Sequence, residues 1–408
     1  MRAPEAPSVT APRVDTAPSK APHPQAAARP DTARNERPRV LLVGNYAPDR
    51  QQSMLRFADL MQRELGRRGL AVTLLQPDPR LLGARAATSR LGKWLGHADK
   101  LLRFPRQLRG MAADYDVVHI LDHSNAMYCH HLHDRPHVVT CHDLLAVRSA
   151  LGEFPENPTR WSGRRLQRMI LRGLQQARLV ACVSRATQAD VERLAGLPAN
   201  RIGLVANGLN HPYHPLPSAG IGPALDRLGL PAERRYLLHV GGNHWYKNRP
   251  GVLRIMGALR RLPQGADLHL VMVGEPLDPT LAAVAAEEHL ANHLHIRGNL
   301  DNDTLNALYA GALGLIFPSL QEGFGWPIIE AQAAGCPVFV SDRPPLPEVA
   351  GNDAVRFDPL DPARAAAAIA DALPRRDALV AAGHANAATF TTAAMIDGYL
   401  DLYQRVRR

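Results

Sequence analysis

The sequence predicts an α/β protein made of two doubly wound parallel sheets whose domains face each other across a cleft. Three observations lead there. Short apolar runs that read as buried strands alternate with segments of helical periodicity from residue 39 onward. The alternation breaks once, at a stretch dense in proline and glycine, and then restarts. The length, 408 residues, accommodates two or three domains of ordinary size.

Residues 1–38 are Ala/Pro-rich without apolar periodicity, and read as a disordered tail. Val40–Val43 is a short apolar run ended by Gly44, as expected of a strand buried on both faces. Ser53 to Arg68 places Leu55, Ala58, Leu60, Met61 and Leu65 at helical spacing, and Gly69 stops it. Further strands are expected at Leu70–Leu75, Val117–Leu121, Val138–Cys141, Leu179–Val183 and Ile202–Val205. Asn207 to Arg235 carries the breakers that mark an interdomain linker. Beyond it, Tyr236–Val240, Leu268–Val273, Leu294–Ile296, Leu313–Phe317 and Val338–Val340 read as strands with helices between. The domains are thus set at 39–215 and 216–390, with a C-terminal helix over 391–408 that packs back on the first domain. In open sheets of this kind, ligands sit outside the carboxyl ends of the strands.

Composition narrows the class. With 46% hydrophobic and 21% charged residues the chain is globular, not disordered or collagenous. No uncharged apolar run of about 18 residues predicts a membrane span, and no apolar h-region predicts a secretory leader. Four scattered cysteines suit a reducing, cytoplasmic setting. The net charge of +10 is uneven: +2 over residues 1–38, +11 over 39–215 and −3 over 216–408. That asymmetry points to an anionic partner for the first half, or to a general abundance of arginine.

The most informative stretch is Pro318 to Pro337. A strand runs into a loop with Gly323 and Gly325, then into a helix opened by Pro327 and closed by Gly335. Glycines before a helix N-terminus let a ligand approach the backbone, and the free N–H groups there favour anions. Glu322 lies in the loop and Glu330 one turn into the helix, so both could hydrogen-bond hydroxyls of a polyol. Taken singly, they read more readily as a solvated loop residue and a helix-surface residue; the combination with glycines at both flanks is what points to a site.

The Glu322-x7-Glu330 spacing resembles the motif of retaining glycosyltransferases of family 4, group 1, which have the GT-B fold of two Rossmann-like domains. The resemblance extends through Asp303–Ala312, Pro318-Ser319, Pro337–Ser341 and Leu346–Val349. Weaker matches, in order, are His142-Asp143, Val183-Ser184, Asn207-Gly208, and Val240-Gly241 followed by Lys247-Asn248. It covers roughly residues 39 to 405. It implies an enzyme that moves a sugar from a nucleotide-sugar donor, GDP- or UDP-linked and of mannose or glucose type. The acceptor it implies is a hydroxyl of a glycan or polyprenyl-linked glycan in bacterial surface polysaccharide synthesis, not a nucleic acid. On the same grounds, Glu330 would hold the ribose, Glu322 a donor-sugar hydroxyl, and Lys247 the diphosphate. The amides of Gly323, Phe324 and Gly325 would cap sugar and phosphates, and His142 would face the donor sugar. Gly241 would lie at the donor, and Gly298-Asn299-Leu300 beside the base. The first domain would take the acceptor and the second the nucleotide sugar. No cofactor or metal is implied.

Two departures stand out. The family usually has an arginine shortly before the lysine, whereas Gly242–Tyr246 holds none, leaving His244 or Arg249 as second cation. A single Gly44 stands where the family often has a Gly-Gly loop. Lys247 is the only lysine after Lys100 in an arginine-rich chain, which argues for a selected position.

Residues 119–142 hold seven histidines and two cysteines, but their spacing fits no zinc template. No Gly-x-Gly-x-x-Gly follows Val43, Val240 or Val273, which disfavours a nicotinamide-dependent oxidoreductase. A nucleotide- or metal-binding module without transferase activity remains the alternative. Finally, Ser89 to Met111 places Leu91, Trp94, Leu95, Ala98, Leu101, Leu102, Leu108 and Met111 near helical spacing, interrupted at Pro105, with a net charge of +5. It reads either as an interfacial helix on an anionic membrane at the cytoplasmic face or as a helix packed on the sheet.

Overall fold

The computed structural model describes residues 37–49, 51–83, 89–230, 235–298 and 300–408, with the side chains of Arg90 and Lys93 left out. The expected tail, through Glu36, and Asn299 lie outside the described residues.

Among the described residues the elements run β1 (Val40–Val43), α1 (Gln52–Arg67), β2 (Val72–Leu75), α2 (Arg90–Ala98), α3 (Phe104–Ala112), β3 (Val117–Ile120), β4 (His137–Cys141), α4 (Leu145–Leu151), α5 (Trp161–Gln176), β5 (Leu179–Cys182), α6 (Arg185–Ala195) and β6 (Ile202–Leu204). After α7 (Ser218–Arg227) come β7 (Tyr236–Val240), α8 (Arg249–Arg260), β8 (His269–Val273), α9 (Pro279–Glu287), β9 (Leu294–Arg297), α10 (Asn302–Gly311), β10 (Gly314–Phe317), α11 (Trp326–Ala333), β11 (Val338–Ser341), α12 (Leu346–Ala350), β12 (Val355–Phe357), α13 (Pro362–Ala372), α14 (Arg376–Ala387) and α15 (Thr392–Arg407). They build two six-stranded, all-parallel sheets, ordered β2-β1-β3-β4-β5-β6 and β12-β11-β10-β7-β8-β9.

Period-2 side-chain alternation puts Leu41 and Val43 in one core layer and Val40 and Leu42 in the opposite one. In the second sheet Leu315 and Phe317 face one layer and Ile316 the other. Every residue of β1 and β10 is buried, which is why these strands read as unbroken apolar runs.

Three sequence expectations are corrected. The linker stretch contains α7, whose Leu225 joins the second domain's core despite Pro223 within the helix. The strand β12 escaped notice because it is three residues long with Arg356 at its centre. Pro105 does not interrupt the Ser89–Met111 segment. A π-turn over Asp99–Arg103 joins α2 to α3, the Phe104 N–H donates to the Asp99 carbonyl, and Pro105 sits in the first turn of α3, where a missing N–H costs nothing. Its apolar residues also divide: Leu108 is buried in the core, whereas Leu91, Trp94 and Leu102 are 60%, 73% and 63% exposed.

The last helix, α15, lies against the first sheet together with α1, burying Met395, Ile396, Tyr399, Leu402 and Tyr403. A buried polar chain fixes its register. His119 on β3 bonds the Tyr403 hydroxyl through Nδ1 (2.7 Å) and the Thr140 hydroxyl through Nε2 (2.7 Å), and Thr140 contacts the Tyr399 hydroxyl (3.0 Å). Burial holds the His119 imidazole well below its usual pKa, at about 3, so it is neutral and needs one donor and one acceptor neighbour. Tyr403→Phe keeps the ring but strands His119 Nδ1. Urea denaturation is expected to show a loss of about 1–3 kcal/mol; an unchanged midpoint would show that the chain does not hold α15.

Candidate functional site

In each sheet the strand order reverses next to the first strand of its domain, β1 beside β3 and β7 beside β10. The loops leaving those strands therefore diverge and leave a crevice at the carboxyl edge. A cleft of about 790 Å³ lies there, lined by Asn45, Asp122, His123, His142 and Asp143 from the first domain and His244, Tyr246 and Glu275 from the second.

The Pro318–Pro337 segment forms the strand, loop and helix its sequence indicated. Gly325 caps α11 at φ 108°, a backbone state that favours glycine, and Pro327 sits in the first turn. Glu330, one turn along, is 5% exposed. Tyr309 donates to Oε2 (3.0 Å) and Asn210 Nδ2 to Oε1 (3.3 Å). Burial outweighs these donors and raises the carboxyl to about 7, with Arg56 on α1 and Lys247 pulling the other way. Neither Tyr309, Asn210 nor Arg56 was singled out for a role from the sequence. Tyr309 lies inside the matched upstream stretch, the one signal that could have found it.

Lys247 ends a 3₁₀ turn after β7, and its Nζ donates to Glu322 Oε1 at 2.7 Å. Both side chains are largely shielded, and Nζ also sits 5.0 Å from the Phe317 ring centroid. The two residues thus face each other across the mouths of β7 and β10. Gly241 makes room for this group: a Cβ there would lie 3.0 Å from His239 Nε2 and 3.5 Å from Lys247 Cδ. Next to it, Gly298 lies against the Gly274 carbonyl, and Leu300 packs on the second domain's core.

The two second-cation candidates part company. His244 is exposed and lines the cleft, stacked on Tyr246 at 5.4 Å. Arg249 is 2% exposed at the start of α8, donating to Asn243 Oδ1 while its Nε and Nη2 have no partner among the described residues. It lies behind the loop that His244 fronts.

Gly323 is tight for a reason other than ligand approach. A Cβ at this position would fall 1.8 Å from the His142 carbonyl oxygen, so the loop after β10 lies directly on the loop after β4. The Gly323 carbonyl accepts from the hydroxyls of Ser184 (2.7 Å) and Thr187 (3.2 Å), which clamp the two domains together. Phe324 is buried against Phe390 and Trp326. Gly44 is likewise occupied by protein, since a Cβ would meet Gln76 Nε2 at 2.9 Å.

His142 is 8% exposed, edge-on to Phe57 at 4.9 Å. Its Nε2 lies 3.0 Å from the Leu121 carbonyl, a contact only an N–H can fill. Burial lowers its pKa, so the ring is neutral and Nδ1 carries a lone pair, buried without a partner among the described residues. The other histidines and cysteines of 119–142 scatter: His119 joins the α15 network, His123 pairs with Asp122 (3.2 Å) in the cleft, His130 and His131 lie side by side near α5, and Cys129 and Cys141 are buried thiols. Among the described residues no group of three or more His, Cys, Asp or Glu could hold a metal ion.

The model described as glycosyl transferases group 1 matches residues 224–387, and that of glycosyltransferase family 4 matches residues 55–211. O-antigen chain mannosyltransferase B of Escherichia coli is 28% identical over 265 residues, 64% of this chain and 66% of that one. Alpha-maltose-1-phosphate synthase of Mycobacterium tuberculosis is 28% identical over 358 residues, 81% of this chain and 87% of that one. The match to an MMP alpha-(1->4)-mannosyltransferase of Mycolicibacterium hassiacum, 38% identical, spans only 25% of either chain. Among solved structures, sucrose-phosphate synthase from Thermosynechococcus elongatus superposes with a TM-score of 0.72 at 18% identity, over 90% of this chain and 98% of that one. Alr3699/HepE of Anabaena, in complex with UDP and glucose, gives 0.69 at 17% identity over 89% and 98%. The fold is GT-B.

Glu330 supplies a test. Its folded pKa, about 7, lies above the ordinary 4.5, so between those values the folded chain binds more protons than the unfolded one. Its contribution to stability therefore falls as pH rises through that window. Glu330→Gln removes the buried charge and is expected to raise the melting temperature at pH 8 relative to wild type, with no gain at pH 4. Calorimetry at the two pH values checks this, and an equal shift at both would disprove it.

Proposed function

The chain belongs to glycosyltransferase family 4, group 1, and on that premise we propose that it moves a sugar from a nucleotide-sugar donor to an acceptor hydroxyl with retention of the anomeric configuration. The observation that carries this reading is the pairing of Lys247 with Glu322 at the mouths of β7 and β10, close enough to Glu330 for the ammonium to act on its carboxyl, together with the buried, unpartnered Nδ1 of His142. Lys247 leaves Glu322 to neutralise the donor diphosphate, freeing a carboxylate to accept from a sugar hydroxyl. Glu330, released from Tyr309 and Asn210, accepts from the ribose hydroxyls. His142 Nδ1 accepts from a further hydroxyl of the sugar.

As the glycosidic bond breaks, charge builds on the departing phosphate, and a preorganised ammonium and helix N-terminus lower that barrier. A covalent glycosyl intermediate would need a free carboxylate beside the anomeric carbon. With donor bound, Glu322 is taken up by the sugar hydroxyl, Asp122 is hydrogen-bonded by Asn45 and Ser124, and Asp143 accepts the Leu145 N–H. We therefore favour front-face displacement: the acceptor oxygen bonds to the anomeric carbon as the bond to phosphate breaks, and its proton passes to the leaving phosphate oxygen. Lys247 takes the role a divalent ion would otherwise fill. The likeness to O-antigen chain mannosyltransferase B, and to WaaG, a glycosyltransferase involved in lipopolysaccharide biosynthesis, supports an acceptor in surface polysaccharide synthesis. A glycan or polyprenyl-linked glycan, met at the cytoplasmic face of an anionic membrane, fits the excess positive charge of the first domain. No helix among the described residues is long and apolar enough to cross a membrane.

Lys247→Ala and Glu330→Ala are each expected to lower donor-dependent turnover about a hundredfold or more, measured as nucleotide release from a panel of UDP- and GDP-sugars. Turnover near wild type in either folded variant would refute the assignment. Turnover is also expected to persist after exhaustive EDTA treatment; abolition by EDTA with recovery on Mg²⁺ or Mn²⁺ would refute the role given to Lys247.

A further inference from the structure

A second concavity, outside the donor site, is built by α2 and α5. It is a groove of about 760 Å³, within the size range of small-molecule sites, walled by Trp94 and Leu101 on one side and Trp161, Leu166 and Met169 on the other. Trp94 and Trp161 are 73% and 72% exposed, and Leu101 and Met169 are also exposed. An apolar surface this concentrated is left open only where something covers it. The scaffold beneath is firm. Buried Asp99 accepts the N–H groups of Leu81 and Leu82 and the Tyr46 hydroxyl, and Phe104 packs on Tyr128 at 4.9 Å. The backbone that carries Trp94 and Leu101 is thus anchored at its C-terminal end.

Charge says what the occupant carries. Arg165, Arg168 and Arg172 rim the groove along α5, which contains no acidic residue, and none of the three has an ion-pair or hydrogen-bond partner among the described residues. Lys100, by contrast, is taken up by Asp49 at 2.9 Å, and Arg103 lies 3.8 Å from Asp78, so among the described residues lining the groove the unpaired guanidinium groups are those on α5. Position says where the occupant leads. His97, Leu101 and Leu166 line both the groove and the donor cleft, so the two are continuous. In the other direction Leu101, Met169 and Arg172 line an adjoining apolar pocket of about 340 Å³ reaching Pro105 and Met127.

We propose that the groove between α2 and α5 binds the hydrocarbon chain of a single-chain lipid diphosphate, with the diphosphate against Arg165, Arg168 and Arg172 and the attached sugar passing Leu101 into the cleft. This rests on the transferase reading and assigns the acceptor's lipid to a site of its own. A polyanionic head next to a long apolar tail matches, in order, a guanidinium rim and an aromatic trough. One groove of this volume takes one chain, drawn out of the bilayer so that its sugar reaches the donor.

The test uses the full chain without detergent or vesicles, titrated with geranylgeranyl diphosphate below its micelle concentration. Saturable binding is expected, weakened at least tenfold in the W161E/M169E double variant, with inorganic diphosphate binding far more weakly to either. Both substitutions are on exposed side chains, and unchanged UDP or GDP binding by the variant confirms its fold. Equal affinity in wild type and variant overturns the proposal, as does inorganic diphosphate binding as tightly as the lipid. Binding to phosphatidylglycerol vesicles without binding of the dispersed lipid diphosphate also overturns it, because the face would then be a bilayer-docking surface. A wild type that binds UDP or GDP but not the lipid diphosphate refutes the groove alone; one that binds neither refutes the transferase reading as well.

Discussion

The cleft depends on one backbone contact. Gly323 lies so close to the His142 carbonyl that no side chain fits between, and the hydroxyls of Ser184 and Thr187 hold its own carbonyl from the same side. The contact joins the loop after β10 to the loop after β4, and with them the halves of the molecule. It decides how far His142 stands from Glu322, one residue before the glycine. Any larger residue at 323 would wedge the domains apart and misplace groups that work only together, and a displacement of about 1 Å is enough to cost a large factor in rate.

Around that contact the site keeps its charges balanced at rest. A shielded ammonium without a partner would be costly, and so would a shielded carboxylate. Lys247 and Glu322 satisfy each other, while Glu330 relies on two neutral donors and on partial protonation. Each of these arrangements is replaceable by a ligand carrying both phosphates and hydroxyls. Under the proposed function, the attraction between Lys247 and Glu322 is what the donor must offset, and a ligand bringing only phosphates or only hydroxyls would leave one member of the pair without a partner.

Much of this was legible in the sequence. Two unbroken apolar strands, β1 and β10, announced parallel sheets, and Gly325, Pro327 and Gly335 marked the bounds of α11 because each answers a local backbone demand. What stayed hidden depends on distant contacts. Gly323 looks like a ligand-approach glycine, yet its neighbour is His142, 181 positions away by number. Arg249 and His244 both flank Lys247 in the sequence as candidate second cations, and only the start of α8 decides that one is buried and the other faces the cleft. The helix α7 was masked by Pro223, since its stability comes from packing Leu225 on the second core and not from propensity. The division of the α2–α3 surface into a buried Leu108 and exposed Trp94 and Leu102 follows from the π-turn, which shifts the helical phase where no periodicity rule anticipates it.

The state of Glu330 reaches beyond the cleft. A carboxyl pushed up to about 7 holds a proton for part of the time at neutral pH, and a partner that needs the carboxylate must expel it. Binding of any ligand that uses the Glu330 carboxylate as an acceptor is then coupled to proton release into the buffer, and the heat of that binding varies with the buffer's own ionisation enthalpy. A fall in the surrounding pH opposes the binding of such a ligand, so occupancy of this site carries a thermodynamic link to local acidity.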